Sequence, residues 1–190
     1  PETSVLINKV QDCDAISLKT SKLGADLINA ANKLKIISRH GVGYDNVDLE
    51  TIKKKKIILS ITTNSNATSV AEHVFFMMLS ISRGADTYDK TVKEGKFLNR
   101  KNLELSKELW NKNILIAGFG RVGKNLIKKC IGFDMNIFVY DPFVDKKIID
   151  SLGGKKIDNF QNTIQEMDYV SLHMPLTDKT KNLINMKVLS

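Results

Sequence analysis

Short apolar runs alternate with amphipathic stretches along this chain, regularly enough to predict its elements. Ser4 to Val10 carries apolar residues at helical spacing, and Asp14-Ala15-Ile16-Ser17-Leu18 reads as a strand. Leu23 to Leu34 predicts an amphipathic helix, Lys35 to Ser38 a second strand, Val47 to Lys55 a helix, and Ile57 to Ser60 a third strand. Strands alternating with helices imply parallel pairing and right-handed crossovers, so residues 1–66 are expected to form a small α/β unit. Thr62 to Asn66 is a polar connector. Thr68 or Ser69 then caps a helix over Val70 to Ser82, with Glu72 near the capping-box position. That helix is apolar nearly all round, and a helix without a polar face must be covered on most sides. It is therefore expected between two domains or two subunits, with its Phe and Met residues as packing and His73 as a hydrogen-bonded interface residue.

Farther on, the pattern predicts a helix over Asp86 to Gly95, an irregular connection from Lys96 to Trp110, and a buried strand starting at Asn113. The strand runs into Gly118-Phe119-Gly120-Arg121-Val122-Gly123, and a helical pattern continues to Ile131. In a Gly-x-Gly-x-x-Gly turn of this kind the three glycines have separate tasks. Gly118 permits the turn, Gly120 lets a pyrophosphate approach the backbone, and Gly123 lets the helix pack closely on the strand. Unpaired N–H groups at the helix start then face the anion. The next strand, Asn136 to Tyr140, ends at Asp141, about 20 residues beyond the turn, where an acid can bind both ribose hydroxyls of an adenine dinucleotide. The same charge repels a 2′-phosphate, which favours NAD over NADP. The less favoured reading is Asp141 as a turn-former before Pro142. A helix over Lys146 to Leu152, a short strand near Lys155 to Ile157, a helix over Phe160 to Met167 and a buried strand from Asp168 that Pro175 stops complete the reading. In the dinucleotide-binding order 3-2-1-4-5-6, strands 1 and 4 are neighbours, so Gly118–Gly123 and His173-Met174-Pro175 should flank one crevice. Strands 5 and 6 would lie beyond Ser190.

A second glycine-bearing stretch, Ser38 to Asp48, follows the carboxyl end of its own strand. Exposed N–H groups at Val42 and Gly43 can hold a carboxylate there, with Arg39 adding charge. A glycine turn with Asn46 or Asp48 as helix N-cap explains the same residues.

Bulk properties change this picture little. The 190 residues are 42% hydrophobic and 26% charged, enough to bury a core in one or two domains. The longest apolar run, Val74 to Leu79, is far short of the roughly 20 residues a membrane span requires, and no signal segment opens the chain, so a cytoplasmic protein is expected. Cys13 and Cys130 suggest no disulfide framework, and His40, His73 and His173 show no metal spacing, so no metal is expected. The net charge of +8 raises nucleic acid as a partner. The lysines are dispersed, however, and Lys53 to Lys56 suits a helix terminus, so neither nucleic acid nor membrane is expected as a partner. Pro1 at the start and an unbroken pattern at Ser190 read as the cut ends of a longer enzyme.

Five blocks in order complete the reading: Arg39 to Asp48, Ser69 to His73, Gly118 to Gly123, Tyr140-Asp141-Pro142, and Leu172 to Thr177. Together they resemble the D-isomer-specific 2-hydroxyacid dehydrogenases, nearest the D-3-phosphoglycerate dehydrogenase branch, over nearly the whole chain. The resemblance implies a partial flavodoxin-like substrate domain at 1–66 and a partial Rossmann NAD-binding domain, a doubly wound parallel sheet, at 67–190. It implies hydride transfer between NAD and a D-2-hydroxy acid or its keto acid, 3-phosphoglycerate in serine biosynthesis being one candidate. Val42 and Gly43 would bind the substrate carboxylate beside Arg39. Arg121 and Val122 would meet the pyrophosphate, Asp141 the ribose, and Thr62, Met174 and Pro175, with His173 and Thr180, the rest of NAD. The helix at 69–83 would form a homodimer. The family's catalytic arginine, glutamate and histidine lie downstream of the His-x-Pro-Leu block, so no catalytic residue falls within 1–190 and this piece alone is expected to be inactive. A non-catalytic NAD-responsive corepressor on the same scaffold is the alternative.

Overall fold

The computed structural model describes residues 3–63 and 65–189; Pro1, Glu2, Ser190 and, within the predicted polar connector, Asn64 lie outside them. The chain divides into two compact units, Pro1–Asn66 and Ala67–Ser190.

The first unit runs α1 (Thr3–Val10), β1 (Ala15–Leu18), α2 (Ala25–Ala30), β2 (Ile36–Arg39), α3 (Leu49–Lys55) and β3 (Ile58–Ile61). Its strands pair in parallel, in the order β1-β2-β3, with Ala15 opposite Ile36 and Ile36 opposite Ile58. Leu18, Ile37 and the half-buried Leu59 of the sheet pack with Leu27, Ile28 and Ile52 of the helices, and Leu6, Ile7 and Val10 of α1 close the cluster. Both α2 and α3 begin later than the periodicity predicts, for one reason. Leu23 and Val47 form a parallel bridge instead, Leu23 N–H donating to the Asn46 carbonyl (2.8 Å) and Asp48 N–H to the Leu23 carbonyl (3.0 Å). Helix α2 also ends at Ala30, short of the predicted Leu34. Asp48 is the N-cap of α3, its carboxylate accepting from Thr51 N–H at 2.8 Å. The predicted lysine run occupies the last turn of α3, and Lys56 ends it in the left-handed conformation. Lys55 reaches back to the end of α2, its Nζ donating to the carbonyls of Ile28 (2.9 Å) and Asn29 (3.0 Å), a cation where the helix dipole is negative.

The second unit opens with α4 (Ala67–Arg83) and α5 (Ala85–Lys93), followed by a 3-10 helix at Phe97–Asn102 within the stretch expected to be irregular. Helix α4 starts three residues before the predicted Val70, so Thr68 and Ser69 sit inside its first turn rather than capping it. Then come β4 (Asn113–Ala117), α6 (Arg121–Ile131), β5 (Asn136–Tyr140), α7 (Lys146–Ser151), β6 (Lys155–Lys156), α8 (Phe160–Thr163), β7 (Tyr169–Leu172) and α9 (Met186–Leu189). The single helix predicted over Phe160 to Met167 tightens to 3-10 geometry at Ile164–Glu166.

All pairing in this sheet is parallel, in the order β6-β5-β4-β7, which is 3-2-1-4 by the unit's own strand count. Central strand β4 is covered on both faces. Ile114 and Ile116 join Val74, Phe75, Leu126 and Ile127 on one side, while Leu115 and Ala117 join Phe160, Ile164 and Val188 on the other. That two-sided burial explains its uninterrupted apolar sequence. Helix α4 buries Ala71, Val74, Phe75 and Met78 but leaves Phe76, Met77 and Ile81 exposed. Among the described residues no helix is long and apolar enough to cross a membrane.

Candidate functional site

Parallel strands deliver their carboxyl ends to one edge of a sheet, and in the second unit the glycine turn stands there. Gly118 has φ +97°, a region that L side chains rarely adopt, and its N–H donates to the Tyr140 carbonyl at 2.8 Å. A Cβ on Gly118 would stand 2.7 Å from the carbonyl carbon of His173 and 2.9 Å from the Met174 nitrogen. His173 N–H in turn donates to the Ala117 carbonyl at 2.7 Å, so the end of β7 lies flush against the turn. Gly123 is equally constrained, since its Cβ would fall 2.5 Å from the Gly118 oxygen. Gly120 differs: it is the N-cap of α6, with no neighbour within 4 Å of a built Cβ and no side-chain cap. The first turn of α6 holds no acidic residue, and Arg121 there is exposed without an ion pair among the described residues. Free N–H groups and a positive helix end thus face open space at Gly120, next in sequence to the exposed cation of Arg121, an arrangement that can receive an anion.

Asp141, at the end of neighbouring β5, combines the two roles left open by its sequence position. Its Oδ1 accepts from Phe143 N–H at 2.9 Å, closing the turn through Pro142. Its Oδ2 accepts from Phe119 N–H at 2.7 Å, on the glycine turn itself. An ionised carboxylate offers about four lone-pair sites. One on each oxygen remains, enough for two ribose hydroxyls.

On the β7 side, His173 Nε2 lies 2.9 Å from Ser171 Oγ. Partial burial pushes its pKa below the ordinary 6.5, favouring the neutral ring. Met174 is half-buried beside the Leu115–Phe160 cluster, and Pro175 begins the exposed loop. Thr180 closes that loop: its hydroxyl donates to the Pro175 carbonyl (2.6 Å) and accepts from Thr177 N–H (2.8 Å). Its side chain holds the loop beyond β7 together.

Within the first unit, Arg39 ends β2. Its Nε donates to Asn46 Oδ1 at 3.3 Å, and its guanidinium also donates to the His40 carbonyl. Gly41 has φ +147°, and a Cβ there would meet the same guanidinium at 2.6 Å. Thr62 pins Gly41 from both sides, its Oγ1 accepting from Gly41 N–H (2.8 Å) and its own N–H donating to the Gly41 carbonyl (3.1 Å). Val42 and Gly43 are left exposed, their N–H groups donating to nothing among the described residues. Asn46 is no helix cap; its Nδ2 ties the loop to the Ser21 carbonyl at 2.7 Å. The loop therefore presents free amides beside a fixed cation.

The fold brings Gly118, Gly120, Arg121, Gly123, Asp141 and His173 to one edge of the second unit's sheet. Arg39, Val42, Gly43 and Thr62 gather at one loop of the first. The sequence alone assigns no role to Phe119, whose ring is fully buried and anchors the turn, or to Ser171, which pairs with His173, and it offers Asn46 only as a helix cap, not as the partner of Arg39. An apolar residue between two loop glycines was the available signal for Phe119. A hollow lined by Lys112, Asp168 and Tyr169 lies at the opposite, amino-terminal sheet edge, where Lys112 and Asp168 are already paired at 3.1 Å. Among the described residues no group of three or more His, Cys, Asp or Glu forms a metal site.

Residues 75–190 match the family model described as "D-isomer specific 2-hydroxyacid dehydrogenase, NAD binding domain". The chain is 34% identical over 180 residues to a D-3-phosphoglycerate dehydrogenase of Methanocaldococcus jannaschii, covering 94% of this chain and 34% of that protein. It is 35% identical to a hydroxypyruvate reductase of Thermotoga maritima, covering 97% of this chain and 58% of the relative. Among solved structures, the NAD+-bound 3-phosphoglycerate dehydrogenase of Entamoeba histolytica superposes with a TM-score of 0.80 at 30% identity, over all of this chain and 55% of that one. The chain thus spans about a third to somewhat over half of the length of the proteins it matches.

Proposed function

Because the chain belongs to the D-isomer-specific 2-hydroxyacid dehydrogenase family, we propose that it supplies the NAD-holding side, and part of the substrate side, of an enzyme that moves a hydride between NAD and a D-2-hydroxy acid. One observation carries the reading. A glycine turn, an acid-free helix start and a carboxylate with two unused lone pairs stand together at the carboxyl edge of a 3-2-1-4 parallel sheet, against the end of β7. Bound NAD would supply the hydride acceptor. Around it, the amides at the start of α6 and Arg121 would neutralise the pyrophosphate, and Asp141 would take the adenosine ribose and repel a 2′-phosphate. Met174 and Pro175 would line the far wall with His173, and the Val42–Gly43 amides with Arg39 would hold the substrate carboxylate.

Phosphoglycerate is the substrate we favour, since it adds a second anionic group for which Arg39 supplies charge; the reaction would then serve serine biosynthesis in the cytoplasm. No residue of 1–190 is assigned the proton transfer. His173 faces Ser171 and is given to the cofactor wall; in this family a histidine farther along moves the proton, with a glutamate that orients it and an arginine that polarises the carbonyl. The exposed Phe76, Met77 and Ile81 of α4 are the proposed contact with a second copy.

Fluorescence titration of the 190-residue chain tests this. We expect NADH to bind at least about tenfold more tightly than NADPH. With hydroxypyruvate, glyoxylate or phosphohydroxypyruvate added, the nicotinamide absorbance should stay constant. Equal affinity for the two cofactors would remove Asp141 from the ribose role, and turnover at an enzymatic rate would refute the placing of the acid/base group.

A further inference from the structure

We propose that Asp141 is also a positioning residue for the pyrophosphate receptacle: its carboxylate fixes the glycine turn through Phe119 N–H, so that reading the ribose and shaping the phosphate site depend on one side chain. This rests on the NAD reading above and goes beyond it. The Oδ2 bond to Phe119 N–H is short for an N–H donor, 2.7 Å, as expected when the acceptor is charged. It joins the ends of neighbouring strands β4 and β5, and Phe143 N–H on Oδ1 stops the carboxylate from rotating away.

Phe119 directly precedes Gly120, so the direction of the amides at the start of α6 follows from how the Phe119 peptide is held. Its ring is fully buried and fixes one end of that peptide plane; the carboxylate fixes the other. No other side chain among the described residues accepts from Phe119 N–H. Without Asp141 that part-buried donor loses its acceptor, and the turn is left to the ring alone. Changing the cofactor preference by replacing Asp141 should therefore also weaken affinity for the phosphates, which Asp141 does not touch.

ADP and 2′,3′-dideoxy-ADP separate the two roles, because the second keeps the diphosphate and lacks both ribose hydroxyls. Calorimetric titration of the 190-residue chain with each should show ADP binding more tightly than its dideoxy analogue. In Asp141→Ala the two should bind alike, and the dideoxy analogue about tenfold more weakly than to the wild type. Asp141→Asn keeps the shape and one acceptor oxygen, so it should lose less dideoxy-ADP affinity than Ala. In that variant the amide of Phe119 or of Phe143, whichever the remaining oxygen does not serve, should exchange faster with deuterium. Unchanged dideoxy-ADP binding in both variants, with ADP weakened, would overturn the positioning role and leave the ribose role standing. Weakened dideoxy-ADP binding with an unchanged ADP preference would support the positioning role and sink the ribose role. Failure of both ligands to bind the wild type would refute both roles. If Asp141→Ala does not fold, the Asn variant decides alone.

Discussion

The three glycines of the Gly118–Gly123 turn are predicted to fail in different ways when each gains one methyl group, and Gly120 and Gly123 give the sharpest contrast. At Gly123 the new Cβ would sit 2.5 Å from the Gly118 carbonyl oxygen and 3.3 Å from both Ile116 Cγ2 and Phe119 Cδ2. The first distance is well inside any real contact, and its partner is backbone that β7 already confines. Overpacking of this kind costs about 1–3 kcal/mol, while alanine in a helix gains at most about 1 kcal/mol over glycine. The clash wins, with a net loss of about 1–2 kcal/mol and a melting point lower by about 2–8 °C. At Gly120 the methyl meets nothing within 4 Å, and φ −76° with ψ −150° is extended backbone open to alanine. Losing a glycine N-cap costs roughly 0.5–1 kcal/mol. Restricting the unfolded chain returns about 0.4–1 kcal/mol. These offset, so Gly120→Ala should melt within about 2 °C of the wild type. Yet its methyl would fill the open space that the proposed function gives to the pyrophosphate, and NADH affinity should then fall tenfold or more. Thermal denaturation by circular dichroism gives the first quantity and NADH fluorescence the second. A Gly120→Ala chain that binds NADH normally would refute this placing of the pyrophosphate, and a Gly123→Ala chain of full stability would refute the close packing of α6 on β4.

Two further outcomes follow from a half-buried histidine and a buried thiol. His173 has its pKa lowered by burial, so the unfolded chain binds its proton more readily. Its contribution is intact above the ordinary 6.5 and is lost as pH falls through the lower folded value; His173→Gln should flatten the fall in urea stability below pH 6.5, and an unchanged pH profile would contradict the burial. Cys130 is fully buried, with its thiol pushed up to about 12 by desolvation, whereas Cys13 is partly exposed. A thiol reagent should therefore modify Cys13 in the native chain and reach Cys130 only in denaturant, and native labelling of Cys130 would show that the Ile127–Cys130 face of α6 opens.

Much of this architecture was legible because its signals are local. The apolar run of β4, the spacing of the glycines and the proline after His173 each act within a few residues, and the strand count alone set Gly118 beside His173. What stayed illegible depends on distant partners. Leu23 and Val47 carry helical spacing, yet each satisfies its backbone better by bridging to the other. Asn46 and Asp48 are equal as cap candidates in sequence; Arg39 and Ser21 claim the first and leave the second to α3. The hydroxyls of Thr62 and Thr180 look available until Gly41 and Pro175 are seen to engage them. Asp141 posed a choice between turn and ligand, and a carboxylate has lone pairs enough for both.

The position of β4 has a consequence for synthesis. In the first unit each strand meets a partner about twenty residues away, whereas Asn113 at the start of β4 bonds to Asp168, 55 residues on. The added loop-closure entropy is only about 1 kcal/mol, so final stability hardly registers it. Timing does. As the chain leaves the ribosome, at about 5–20 residues per second, β4 emerges with its β7 edge bare and waits several seconds for its second neighbour. Until then Gly118 has no opposing wall. A chain still lacking β7 would have no place for the dinucleotide, and the ligand can favour only molecules in which β7 has docked.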